Sequence, residues 1–191
     1  MADLLRLDAG ALRVLAHPLR SRLLTQLRLH GPATATELAE RLETNTGATS
    51  YHLRKLAEVG LVTDTGTGTG KRRVWEASTR GHEWQPSEFA GDRDAEASLA
   101  WLTRHYHSTL TERMERWAEQ SSRWPAEWQD TLGAGDDGVT VTAAQARTMW
   151  AEIEAVVQRY RDAGADDPDA IRVLVWTHLL PLDDRPPGDR P

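Results

Sequence analysis

The sequence predicts a mainly α chain of the α+β class. Three observations carry that prediction. Leucine and alanine recur at helical spacing through most of the first sixty residues. Two later stretches, near residues 94–122 and 142–163, repeat the pattern at greater length. Only a few short runs, after Gly60 and beyond residue 138, shift toward the two-residue period of a strand.

The elements follow in order. Asp8 to Ala16 form a short helix with Leu12, Leu15 and Ala16 on one side. Pro18 suits the first turn of the next helix, where its missing N–H costs nothing. That helix runs to about His30 on Leu19, Leu23, Leu24 and Leu27, and Gly31-Pro32 ends it. Thr34-Ala35-Thr36-Glu37 is a capping box opening a short helix that carries Leu38, Ala39 and Leu42. Glu43-Thr44-Asn45 is a turn. A further helix spans Thr46 to about Val59, with Leu53, Leu56 and Ala57 inward, and Gly60 is a natural residue to stop it.

Leu61-Val62-Thr63 and Arg73-Val74-Trp75 are β-prone and read as a hairpin with a long Gly-Thr tip. Residues 78–92 read as a linker. A long helix over about 94–122 carries Leu99, Leu102, Tyr106, Leu110, Met114 and Trp117 at steps of 3, 4, 4, 4 and 3. The seam is narrow and continues for about five turns. Val139-Thr140-Val141, a helix from Thr142 to about Ala163 and the alternating run Ile171–Leu180 read as strand, helix, strand. Residues 183–191 read as a disordered polar tail. The expected architecture is a winged helix-turn-helix at 1–80, then a dimerisation and regulatory region at 81–182. The latter comprises the long helix and a small C-terminal α/β extension.

Composition excludes several functions. The 191 residues contain no cysteine, so there is no disulfide framework, thiolate metal site or cysteine nucleophile. No apolar run is long enough to cross a bilayer and no signal pattern opens the chain, so a cytoplasmic protein is expected. The net charge of −6 is an average over two unlike parts. Residues 1–80 carry 12 basic and 8 acidic side chains, while residues 81–191 carry 11 and 21. A basic module joined to an acidic one favours nucleic acid as partner of the first.

Helix, capped helix, turn, helix and basic hairpin is the order a winged helix-turn-helix requires. On the last of those helices Thr46, Gly47, Ser50, Tyr51 and Arg54 share one face, with Lys55 beside it. Small hydroxyls and an arginine suit base edges and phosphates of double-stranded DNA. An ordinary solvated helix face would carry more Glu and Lys. Lys71, Arg72 and Arg73 next to the glycine-rich tip suit phosphates or a minor groove. A phosphate-binding nucleotide loop is not formed there, because Thr65 and Arg72 stand where glycine and serine or threonine are needed.

Residues 10–77 resemble the ArsR-like winged helix-turn-helix regulators of bacteria, in a longer form with a C-terminal extension. The markers are Leu15-Ala16-His17-Pro18-Leu19-Arg20, Glu37-Leu38-Ala39, Ser50-Tyr51-His52-Leu53-Arg54-Lys55-Leu56, Gly60-Leu61-Val62 and the glycine-rich wing. The resemblance implies a homodimer, with Leu99, Leu102, Tyr106, Leu110, Met114 and Trp117 of the long helix at its dimer interface, usually a repressor released by a ligand, reading an imperfect palindrome. It also implies that positions matching Thr46, Gly47, Ser50 and Tyr51 meet DNA. The family's metal chemistry does not carry over: cysteine is absent, and His105 and His107 point to different helix faces.

Neither a metal nor another cofactor is therefore expected. All eight tryptophans lie at or beyond Trp75. Core and interface packing is the favoured reading, and a pocket for a small-molecule effector is the sharper alternative. No nucleophile elbow or catalytic His–carboxylate pair appears, so no enzyme is expected. The competing function is a winged-helix protein-interaction module without DNA binding.

Overall fold

A computed structural model describes residues 4–70 and 72–186. The chain divides into two compact units, Met1–Trp124 and Pro125–Pro191. The division expected at residue 80 is therefore displaced, for a reason visible in the first strand.

Strand β1 (Leu4–Arg6) pairs in parallel with β5 (Gly81–Glu83), Leu4 opposite Gly81 and Arg6 opposite Glu83. The ladder continues with Leu7 N–H donating to the Glu83 carbonyl at 2.9 Å. The expected linker at 78–92 thus holds a strand and a 3₁₀ turn, Pro86–Phe89, whose Phe89 is buried. A boundary at 80 would cut this pairing.

Helix α1 (Ala9–Leu15) is capped by Asp8, whose carboxylate accepts from Ala11 N–H at 2.7 Å. Helix α2 (Pro18–His30) has Pro18 at its first position, as the sequence predicts. Strand β2 (Ala33–Thr34) leads into α3 (Ala35–Arg41) through the capping box, with both reciprocal bonds formed between Thr34 and Glu37. Helix α4 (Thr46–Glu58) ends in a Schellman motif. Gly60 takes φ +71°, its N–H reaches the Ala57 carbonyl, and Leu61 N–H reaches that of Leu56, both at 3.0 Å.

Strands β3 (Val62–Asp64) and β4 (Val74–Ala77) form the antiparallel hairpin, and β2 pairs with the other edge of β4. A Cβ on Gly68 would overlap the Arg72 carbonyl, so the tip closes only over glycine there.

The core of this unit is mostly leucine. Leu12, Leu15, Leu23, Leu38, Leu53, Leu56 and Leu61 are fully buried, with Trp75 and Phe89 beside them. Helix α5 (Arg93–Gln120) joins them through its first four turns. Leu102 is completely buried within the chain, and Leu99 and Tyr106 pack against the same cluster. Of the seam residues expected at a dimer interface, Leu102 is therefore a core residue of the protomer, and Leu99 and Tyr106 are partly buried against that core. The seam was read correctly as apolar, but spacing alone does not say whose surface covers it.

The second unit contains α6 (Ala126–Thr131) and α7 (Ala143–Tyr160), the latter opened by a Thr142–Gln145 capping box. The strands expected at Val139–Val141 and Ile171–Leu180 do not form, and those residues have no regular structure. A strand needs a ladder partner and a surface to pack on. None of residues 125–186 is buried, so β-branched composition alone does not make a sheet. The expected tail begins at Asp183, and its last five residues lie outside the described ones.

Candidate nucleic-acid interface

Helix α4 owes its position to one buried face. Thr49, Leu53 and Leu56 are buried, and the Thr49 hydroxyl donates to the Asn45 carbonyl at 3.1 Å. Asn45 is the N-cap, accepting from Ala48 N–H through Oδ1 at 2.7 Å. The sequence reading placed Asn45 in a turn and missed this role.

With that face fixed inward, Thr46, Gly47, Tyr51 and Arg54 are exposed, and Ser50 and Lys55 are half-exposed. Arg54 makes no ion pair among the described residues. Lys55 differs: its Nζ pairs with Glu58 at 2.8 Å and sits 6.0 Å from the Tyr51 ring centroid. The Glu58 hydrogen bond holds its ammonium pKa above the ordinary value. Gly47 stands at the N-terminal end of the face, where a Cβ would meet only the Asn45 Oδ1 at 3.4 Å.

The turn between α3 and α4 fixes how the two helices meet. Glu43 adopts φ +52°, Thr44 N–H reaches the Ala39 carbonyl at 2.9 Å, and Glu43 N–H reaches that of Glu40 at 3.2 Å. This is a second Schellman closure, with glutamate where glycine is usual.

On the wing, Arg72 and Arg73 are exposed, whereas Lys71 lies outside the described residues. Arg72 Nη2 donates to Glu37 Oε1 at 3.1 Å, and Arg73 Nε lies 3.5 Å from Asp64 Oδ2. The Arg73 guanidinium also lies 5.9 Å from the Trp75 ring centroid. Hydrogen bonds from Thr34, and more weakly Arg72, hold the Glu37 carboxyl below its ordinary range.

Two polar clusters behind this surface escaped the sequence reading. The His17 and His52 rings lie 4.4 Å apart at the joint between α2 and α4. Burial lowers both pKa values, and the Arg20 charge adds to it for His17, the His17 and Arg20 charges for His52. Farther back, Arg28, His82 and Tyr106 form a chain of hydrogen bonds joining α2, β5 and α5. Residues far apart in sequence make both clusters, and no local motif announces them.

Of the expected seam, Leu110 and Trp117 remain half-exposed and Met114 is 53% exposed. Trp117 packs edge-on to Trp124, and Trp101 stacks on His105 at 5.0 Å between centroids. Among the described residues no group of three or more His, Asp or Glu could hold a metal. None of their helices is long and apolar enough to cross a membrane.

Residues 15–65 match the helix-turn-helix domain family. The match runs from the end of α1 through β3, so it includes both helices of the motif. The chain is 46% identical over 54 residues to the HTH-type transcriptional regulator NmtR of Mycobacterium tuberculosis. That stretch is 28% of this chain and 44% of the relative, so less than half of the relative's length is spanned. The matched family is not a family of enzymes.

Proposed function

From the premise that residues 15–65 are an ArsR-like helix-turn-helix domain, we propose that this chain is a sequence-specific DNA-binding transcription regulator. The observation that carries the reading is the polarity of α4. Its inner face is sealed by Thr49, Leu53 and Leu56, while Thr46, Gly47, Ser50, Tyr51 and Arg54 face outward. A helix so anchored presents hydroxyls and one unpaired guanidinium to a major groove. Arg72 and Arg73, with Lys71 beside them in sequence, supply the phosphate contacts of the wing.

The reading extends to a homodimer on a palindromic operator. One α4 reads one half-site, and a two-fold pair places two of them about 34–36 Å apart. The dimer contact is assigned to the outer half of α5, at Leu110, Met114 and Trp117, since Leu99, Leu102 and Tyr106 are occupied within the protomer. Such a dimer seated across a promoter excludes polymerase, so it acts as a repressor, in the cytoplasm where its DNA lies.

Gel shift with DNA upstream of its own coding sequence tests the reading. A shift that weakens steeply with salt is expected, because each neutralised phosphate releases counterions. No shift, together with capture of a protein partner through the same face, would instead favour an interaction module.

A further inference from the structure

The wing arginines are not loose cations. Each faces a carboxylate from a different element, and neither carboxylate needs its charge for the local structure it also supports. Glu37 divides its two oxygens. Oε2 accepts from Thr34 N–H at 2.7 Å and from its hydroxyl at 2.8 Å, completing the capping box. Oε1 reaches across to Arg72 at 3.1 Å. Glutamine also completes a capping box, so the helix start does not require the charge.

Asp64 is similar. Its Oδ1 accepts from Gly66 N–H at 3.1 Å to shape the turn after β3, and asparagine would do the same. Its Oδ2 instead faces Arg73 at 3.5 Å.

We infer that Glu37 and Asp64 are specificity-determining residues, which hold Arg72 and Arg73 so that the wing binds poorly to DNA of arbitrary sequence. This rests on the DNA-binding reading above. Binding to arbitrary DNA depends on cations free to find phosphates in any register. Arg72, hydrogen-bonded to Glu37, has one donor fewer to offer, and Arg73 is drawn toward Asp64 by charge across 3.5 Å. The carboxylate beside it also repels an approaching phosphate. Both ion pairs are exposed, Arg72 and Arg73 being 60% and 63% accessible, so they are weak and yield to a well-placed phosphate.

The test compares the full-length chain with Glu37→Gln, Asp64→Asn and the double variant, on a random-sequence duplex. Glu119→Gln, far from the wing in sequence, controls for the loss of one negative charge. Each wing variant is expected to tighten binding about 2- to 5-fold at about 50 mM salt, the double variant more, and the control little. The curves should converge toward wild type by about 0.5 M salt, where surface charges are screened. Unchanged or weaker binding by the wing variants, with wild type still binding DNA, overturns this inference alone. A wild type that binds no duplex at any salt overturns the DNA-binding reading and this inference with it.

Discussion

Arg28 Nη1 lies 2.7 Å from His82 Nδ1. A guanidinium can only donate, so Nδ1 is the acceptor and the His82 ring is neutral with its proton on Nε2. That Nε2–H donates to Tyr106 Oη at 2.6 Å, so one tautomer satisfies both neighbours. The three groups tie α2 to β5 and α5 and fasten the long helix to the helix-turn-helix.

Acid should loosen this fastening. Burial, and then the Arg28 charge, push the His82 pKa down to about 3 from its ordinary 6.5. Between those values the unfolded chain binds a proton that the native chain refuses, so stability rises with pH. The stabilisation is complete above about pH 6.5 and is lost as pH falls toward 3. Urea unfolding at pH 5 should give a stability lower than at pH 7.5 by about 1–2 kcal/mol from this ring. His82→Asn should flatten the profile, although His17 and His52, also lowered, contribute with the same sign.

The outward face of α4 gives a second expectation. Arg54→Ala should weaken binding to the operator by about 1–3 kcal/mol, read by fluorescence anisotropy, while leaving the melting temperature nearly unchanged. Leu53→Ala should do the reverse: its side chain is fully buried, and its loss should cost about 2–5 kcal/mol of stability.

Asn45 and Thr34 cap the two helices of the motif through side-chain oxygens. Alanine at either position should cost about 1 kcal/mol in a denaturant titration. Thr34→Ala should cost no less than Asn45→Ala, because Thr34 is buried and its loss also unmakes the bond to Glu37.

Glu43 offers a gain. Its φ of +52° is the left-handed conformation that a side chain resists and glycine accepts. Glu43→Gly should stabilise the turn by about 0.5 kcal/mol after the added freedom of the unfolded chain is subtracted. Glu43→Val should destabilise it. Thermal melts of the two variants should move in opposite directions.

The proposed dimer contact can be tested apart from DNA. Met114→Glu puts a charge on the outer half of α5 without touching the core. Sedimentation should show a shift toward monomer, with secondary structure retained. Leu102→Glu should instead unfold the protein, because Leu102 is fully buried within the protomer.

Local chemistry was legible in the sequence. The Thr34–Glu37 box, Pro18 at a helix start, Gly60 at a helix end and the leucines of α4 each act within a few residues of chain. The parallel pairing of Leu4–Arg6 with Gly81–Glu83 was not legible, because its two strands are short, polar in part and distant in sequence. Apolar spacing identified the seam of α5 but not the surface that covers it, so Leu102 was assigned to a second copy. The β-branched run at 171–180 failed for the opposite reason: its composition favours a strand, but it has no ladder partner. At the candidate interface, the exposed face of α4 could be read from helical periodicity. The carboxylates that hold Arg72 and Arg73 could not, since Glu37 reaches Arg72 only after the fold brings α3 beside the wing.

Everything proposed for α4 and the wing depends on their reading a defined DNA sequence. Selection of duplexes from a random library by the purified full-length chain tests it most directly. Enrichment of an inverted repeat with half-site centres about one helical turn apart is expected, as is loss of that enrichment in Arg54→Ala. Recovery of unenriched sequence by wild type, or the same consensus from Arg54→Ala at equal strength, would contradict it.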